Sequence, residues 1–201
     1  MPTRDIIVIG ASAGGISSLR NLVSHFPPNF PASVFVVVHQ PAWHKSELPY
    51  LLTRAGNLPA EAPEQGQPIQ HGRIYVAPPD RHLLLDRDRI HLWRGPKENT
   101  HRPSINALFR SAAVACGPRV IGVVLSGLLY DGATGLWWIK RHGGIAMAQD
   151  PDDALFPDMP RAAMQTVDLD YVAPAVQLGR QLVQIASHPG HISQQPPQEQ
   201  L

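Results

Sequence analysis

Short aliphatic runs alternate with segments of helical spacing along most of the chain. The runs have the length and β-branched content of parallel-sheet strands, and they cover residues 6–9, 34–38, 120–125, 145–148 and 171–173. Between them, apolar residues three and four positions apart predict helices over residues 16–25, 47–54, 105–116, 132–142 and 175–187. This order predicts an α/β fold with a doubly wound, mostly parallel sheet and helices on both faces.

Residues 73–93 depart from this alternation. Three strand-like runs follow one another there, at residues 73–77, 82–85 and 89–93, and a tight turn separates the last two. We expect these runs to form a short antiparallel meander inserted into the α/β frame.

The composition is that of a lightly charged globular protein, with 43% hydrophobic and 16% charged residues and a net charge of +1. The chain has no basic block to neutralise nucleic-acid phosphates, no signal-peptide pattern, and no apolar run of the roughly 18 residues that span a bilayer. The single cysteine, Cys116, excludes an internal disulfide and lies on the apolar stripe of its helix. We therefore expect a cytoplasmic protein that neither binds nucleic acid nor inserts into membranes. One domain over residues 1–187 should precede a polar, disordered tail over residues 188–201.

The segment after the first strand carries the strongest chemical signal. Residues 10–15 read Gly-Ala-Ser-Ala-Gly-Gly, which matches the G-x-S-x-G pattern that presents a nucleophilic serine on a strand-to-helix turn. The segment is also one substitution away from the dinucleotide-binding turn G-x-G-x-x-G. That turn needs an acidic residue about 20 positions further on, after the second strand. No acidic residue lies between positions 5 and 47, and His39 follows the second strand instead.

Three candidate catalytic side chains follow predicted strands: Ser12 the first, His39 the second, and Asp131 a later one. Loops that leave the carboxyl ends of adjacent parallel strands converge on one crevice, so these side chains can form a Ser–His–Asp triad. The backbone N–H of Ala13 is the candidate oxyanion donor. Simpler interpretations stay open, because serine and aspartate also cap helices and His39 is one of ten histidines. The histidines lack metal-ligand spacing, so no metal site is expected.

Several motifs, in one order, resemble the catalytic domain of the chemotaxis protein-glutamate methylesterases (CheB type). The resemblance covers residues 4–187 and rests on the 10–15 segment, Val-Val-Val-His-Gln at 36–40, Tyr-Val-Ala-Pro-Pro at 75–79, Arg-Pro-Ser-Ile at 102–105, Leu-Ser-Gly-Leu-Leu-Tyr-Asp-Gly at 125–132 and Met-Pro-Arg at 159–161.

The resemblance implies a serine esterase with Ser12 as the nucleophile, His39 as the base and Asp131 as its partner, and it implies no cofactor. The family removes methyl groups from glutamate γ-methyl esters on the cytoplasmic helices of chemoreceptors, and some members also deamidate glutamine there. Methylated receptor helices are the implied partners, with a receptor methyltransferase or a separate response regulator as further candidates. Two alternatives remain: a non-catalytic module that binds a receptor or methyltransferase, and a nucleotide-binding α/β protein.

The chain departs from well-known members of this family at several points. They carry a receiver domain ahead of the esterase, whereas this chain starts at the esterase strand, so we expect a stand-alone form without phosphorylation control in cis. Ala13 replaces a threonine, Leu128-Leu129 replaces a Met-Gly pair, and Asn106 stands where an aspartate is frequent. Because these changes line the expected crevice and spare the triad, they bear on substrate and rate more than on the class of reaction.

Overall fold

The computed structural model describes residues 3–41, 43 and 46–188. Seven strands form one parallel sheet: β1 (Ile6–Ala11), β2 (Ser33–Val38), β3 (Ala60–Glu61), β4 (Arg73–Val76), β7 (Val120–Val124), β8 (Ile145–Gln149) and β9 (Tyr171–Ala173). Their order is β3-β4-β2-β1-β7-β8-β9. A separate antiparallel hairpin consists of β5 (His82–Asp86) and β6 (Arg89–Trp93).

Six α-helices of the described part of the chain cover the two faces of the sheet: α1 (Gly15–Val23), α2 (Leu48–Ala55), α3 (Ile105–Cys116), α4 (Ala133–Arg141), α5 (Asp158–Thr166) and α6 (Ala175–Ser187). Helices α1, α2 and α6 bury their apolar stripes on one face. Helices α3, α4 and α5 cover the other face together with the β5–β6 hairpin. Successive residues of β1 point alternately into these two cores, and all of β1 is buried. Burial on both faces explains why its sequence is continuously apolar.

The doubly wound parallel fold is therefore confirmed, and each predicted strand of the main sheet is present. The expected meander is wrong in one respect, because residues 73–76 form a parallel strand of the main sheet beside β2. Of the three runs, the last two form the antiparallel β5–β6 pair. A short apolar run has the same period whichever neighbour it pairs with, so the sequence pattern could not assign β4 to its sheet.

Helix α5 was not predicted. Residues 189–201, most of the expected tail, lie outside the described residues, and the domain boundary at residue 187 stays a prediction.

The centre of the sheet is a topological switch point. Strand β1 pairs with β2 on one side and with β7 on the other, so the chain winds away from β1 in opposite directions. The loops after these three strands meet in one crevice at their carboxyl ends, where open α/β sheets bind ligands. Gly10 allows α3 to approach β1 closely at this edge, since a Cβ atom there would lie 2.3 Å from the Ile105 side chain.

None of the described helices combines the length and the apolar character that crossing a membrane requires.

Candidate active site

Ser12 lies on the turn between β1 and α1. The residue at the N-cap position of α1 is Gly14, in the left-handed conformation with φ of 70°, and no side chain among the described residues caps the helix. The interpretation of Ser12 as a helix cap is therefore wrong. Its Oγ lies 3.2 Å from Nδ1 of His39, the residue that follows β2.

Ser126, which follows β7, holds this turn in place. Its carbonyl oxygen accepts a hydrogen bond from the Ser12 N–H at 3.0 Å, and its hydroxyl donates to the carbonyl oxygen of Ala13 at 2.9 Å. Gln149, at the end of β8, accepts from the Ser126 N–H at 2.9 Å. Both side chains are fully buried. Neither supporting residue is predicted from the sequence, although both lie at carboxyl ends of strands, the same signal that points to Ser12 and His39.

His39 connects Ser12 to Asp131. Its Nε2 lies 2.9 Å from Oδ2 of Asp131, and the side chains of His39 and Asp131 are 6% and 2% exposed. A carboxylate only accepts hydrogen bonds, so Nε2 carries the proton of the neutral ring and Nδ1 accepts from the Ser12 hydroxyl. The two ring nitrogens thus have exchanged partners relative to the chymotrypsin-type triad, in which Nε2 faces the serine and Nδ1 faces the aspartate. Either nitrogen can take up a proton, so the chemical capacity is the same.

The Asp131 carboxylate accepts several hydrogen bonds, most of them from residues at the start of α3. Besides His39, its carboxylate accepts from the Ile105 N–H at 2.7 Å, the Asn106 N–H at 3.1 Å, the Ser104 hydroxyl at 3.1 Å and the Asn99 amide at 3.1 Å. It thereby also interacts with the positive end of the α3 dipole. Burial alone would raise the pKa of the Asp131 carboxyl, but the hydrogen bonds from His39 and Ile105 outweigh it and lower that pKa below its ordinary value. The site therefore holds a buried carboxylate in its charged form.

Asn106 connects α3 to the loop that carries Asp131. Its side-chain oxygen accepts from the N–H groups of Gly132 at 3.0 Å and Gly135 at 2.7 Å, at the start of α4. The residue at the N-cap position of α4 is Gly132 and has no side chain, so the interpretation of Asp131 as the cap of α4 is wrong. The Asn106 amide provides these contacts from another helix.

We expect Asn106→Ala to lower the free energy of unfolding by about 1–3 kcal/mol, because two buried N–H groups would lose their acceptor. Urea unfolding of the parent and the variant measures this difference. The matched control is Asn21→Ala on the exposed face of α1, which should change stability by less than about 0.5 kcal/mol. Equal stability of the two variants would contradict the capping role.

An open cleft of about 350 Å³ lies beside His39. It is lined by residues 39–41 on one side and by Lys97, Thr100, His101 and Arg102 on the other. Residues 128–130, which directly precede Asp131, are exposed although all three are large and apolar. Leu129 adopts a φ of 66°, a conformation that costs a leucine roughly 1 kcal/mol or more.

The structure also shows the surroundings of the Ala13 N–H and of the Cys116 side chain. The N–H of Ala13 has no hydrogen-bond partner within residues 3–41, 43 and 46–188. It is the first N–H after Ser12 and lies just ahead of α1. Cys116 is buried on the apolar stripe of α3, which confirms that it belongs to the core.

The site links a serine, a histidine and a buried, charged aspartate in that order, at the switch point of a doubly wound sheet. This is the arrangement of a serine hydrolase. The contact of the Ser12 hydroxyl with His39, in the place where a dinucleotide site needs an acid, favours this class over nucleotide binding. The chain belongs to the CheB methylesterase family, whose sequence model matches residues 7–182.

Similar proteins are named accordingly. A protein-glutamate methylesterase/protein-glutamine glutaminase of Methanosarcina mazei is 36% identical over 190 residues, which cover 90% of this chain and 52% of the relative. A putative enzyme of the same name from Leptospira interrogans is 38% identical, over 84% of this chain and 88% of the relative. The crystal structure of the Thermotoga maritima CheB methylesterase catalytic domain superposes with a TM-score of 0.86 at 30% identity, covering 91% of this chain and 99% of that one. The chain thus spans about half the length of the Methanosarcina relative and nearly all of the Thermotoga catalytic domain.

Proposed function

We propose that this protein hydrolyses glutamate γ-methyl esters on chemoreceptor-type proteins, and that it also deamidates glutamine at such sites. The observation that carries the proposal is the hydrogen-bonded chain from Ser12 through His39 to Asp131, in a member of the CheB methylesterase family. The names of the relatives support both activities.

The first half of the reaction transfers the acyl group to the protein. His39 Nδ1 takes the proton of the Ser12 hydroxyl as Oγ attacks the γ-carbonyl carbon of the ester. The imidazolium that forms keeps its Nε2–H on the Asp131 carboxylate, whose negative charge stabilises it. His39 then returns the proton to the leaving oxygen, and methanol departs from an acyl-enzyme on Ser12.

The negative charge that develops on the carbonyl oxygen needs donors within reach of Ser12. The N–H of Ala13 is suited to this role, because it follows the nucleophile, makes no hydrogen bond to the part of the chain that the structure describes, and lies at the positive end of α1. The bond from Ser126 to the Ala13 carbonyl oxygen anchors the next peptide of the same turn.

The second half of the reaction is hydrolysis. His39 Nδ1 takes a proton from water, the hydroxide attacks the acyl-enzyme, and the proton returns to Ser12 as the free glutamate side chain leaves. A glutamine side chain would form the same acyl-enzyme and release ammonia instead of methanol. One site can therefore serve both substrates.

The proposed partners are the methylated cytoplasmic helices of chemoreceptors, in the cytoplasm, with a receptor methyltransferase or a separate response regulator as candidates for regulation. The open cleft beside His39 supports a macromolecular substrate, because an exposed helix can reach the site without a deep channel. No step of the proposed reaction requires a cofactor.

The test is release of methanol from the methylated cytoplasmic helices of a chemoreceptor. The parent protein should release methanol catalytically, and protein pretreated with a serine-directed phosphonate should release none. Absence of both methanol release and phosphonate labelling in folded parent protein would refute the proposal in favour of a non-catalytic binding module.

A further inference from the structure

A short turn packs against the triad from the side of the cleft. Residues 98–101 form a two-residue hairpin, in which Glu98 and His101 exchange backbone hydrogen bonds of 3.1 and 2.9 Å. The two central residues, Asn99 and Thr100, have φ angles of 50° and 69°. Left-handed φ at both positions defines a type I′ turn, which favours glycine at the second of them. A β-branched residue such as Thr100 is strained in this conformation.

Tertiary contacts hold this turn against its local preference. The Arg110 guanidinium, on α3, donates to both carboxylate oxygens of Glu98, at 3.1 and 2.7 Å. The Asn99 amide donates to Oδ1 of Asp131 at 3.1 Å. The turn is thus anchored to α3 at one side and to the triad carboxylate at the other. Strained backbone held in this way occurs most often where a functional group must be placed accurately.

The group that the turn places is the ring of His101. It stacks on the ring of His39, with centroids 3.5 Å apart and planes inclined by 8°. No ring nitrogen of His101 makes a hydrogen bond to Ser12, His39 or Asp131, so His101 covers a face of the ring and does not extend the proton path. Burial, the charge of His39 and then Lys97 lower the pKa of His101 more than the charge of Asp131 raises it. An uncharged ring can face an imidazolium without repulsion.

We propose that His101 is a positioning residue, which holds the His39 imidazole in the plane that joins Ser12 to Asp131. The inference rests on the proposed function, because it concerns the base of that reaction. The ring of His39 turns about a side-chain torsion that is broad and soft. Rotation would break both of its hydrogen bonds at once, and the stacked ring of His101 opposes it.

The proposal predicts that a flat ring suffices and that the imidazole of His101 is dispensable. His101→Phe keeps a flat ring, so phosphonate labelling of Ser12 and kcat should stay within about threefold of the parent. His101→Leu keeps apolar volume without a flat face, so both rates should fall about 10- to 100-fold, the range in which small misplacements act. The fall should be larger in kcat than the change in KM, because the proposed role is in positioning the base. The matched control is His25→Leu, at the far end of α1 from Ser12, which should react like the parent.

Proton NMR of the His39 Nε2–H, hydrogen-bonded to Asp131, separates positioning from activity. We expect this downfield resonance in the parent and in His101→Phe, and its loss or broadening in His101→Leu. Retention of the resonance and of the parent rates in His101→Leu would overturn the inference, and so would a loss in His101→Phe as large as in His101→Leu. A parent that shows the resonance pattern but neither labels nor releases methanol would refute the proposed function while leaving the positioning role intact.

Discussion

Ser12→Ala is expected to lower kcat for methanol release by about 10⁴- to 10⁶-fold, which is the loss found when the nucleophile of a serine hydrolase is removed. The variant keeps His39, Asp131 and the Ala13 N–H, but no atom remains to form the acyl-enzyme. Fold stability should hardly change, because Ser12 is only half-buried and its hydroxyl caps no helix. Turnover on methylated receptor helices and thermal unfolding of the same samples measure the two quantities.

Ser17→Ala is the matched control for this substitution. Ser17 is exposed on α1, five positions after Ser12, so its variant should retain both turnover and phosphonate labelling. Methanol release by Ser12→Ala at the parent rate would show that the acyl group is never attached to Ser12, and the proposed mechanism would fail.

Asp131→Asn is expected to have the second largest effect, a fall in kcat of about 10⁴-fold. The substitution removes the charge that stabilises the imidazolium of His39, and the new amide can donate to Nε2 and so favour the wrong tautomer. It also replaces a carboxylate oxygen, which accepts hydrogen bonds, with an NH₂ group, which cannot. Some of the four groups that donate to Asp131 would then lose their acceptor; they belong to Ile105, Asn106, Ser104 and Asn99. The free energy of unfolding should therefore fall by about 2–4 kcal/mol. Parallel measurement of turnover and urea unfolding checks both effects, and a variant with full activity would exclude Asp131 from the triad.

The stability difference between the parent and Asp131→Asn should depend on pH. The pKa of Asp131 is lowered in the folded state, so its charged form contributes stability above the unfolded pKa of about 3.9. That contribution is lost as pH falls through the folded pKa, whereas the asparagine does not titrate. The gap should thus narrow as pH falls below about 4. Other carboxylates titrate in both proteins and cancel in the difference. An equal gap at pH 7 and pH 3 would contradict the charged state assigned to Asp131.

Much of the site could be predicted from local pattern because of the parallel sheet. The apolar runs identify strands, and parallel strands deliver whatever follows their carboxyl ends to one edge. The sequence alone therefore predicts that Ser12 and His39 lie together, and the distance of 3.2 Å between Ser12 Oγ and His39 Nδ1 agrees with that expectation. Their catalytic roles, and that of the Ala13 N–H, remain predictions for the variants to test.

The supporting contacts could not be predicted in this way, because they join segments that are distant in the chain. Asn106 caps a helix that begins 27 positions later, and Ser126 fixes a turn 113 residues before it. The stacking of His101 on His39 depends on the strained 98–101 turn, which local propensity disfavours. The ion pair between Arg110 and Glu98 keeps this turn in place. The parallel pairing of β4 with β2 is unpredictable for a similar reason, since the period of a short apolar run does not indicate which strand it pairs with.

The sequence by itself determined the doubly wound α/β class, the three candidate catalytic residues and the family, because period, strand content and motif order are local properties of the chain. Only the tertiary structure decided how Asp131 stays charged while buried, which nitrogen of His39 faces Ser12, and what holds that ring in place. Those properties depend on hydrogen bonds and ring contacts between α3, the 98–101 turn and the ends of three strands, and such contacts form only when the whole sheet has assembled.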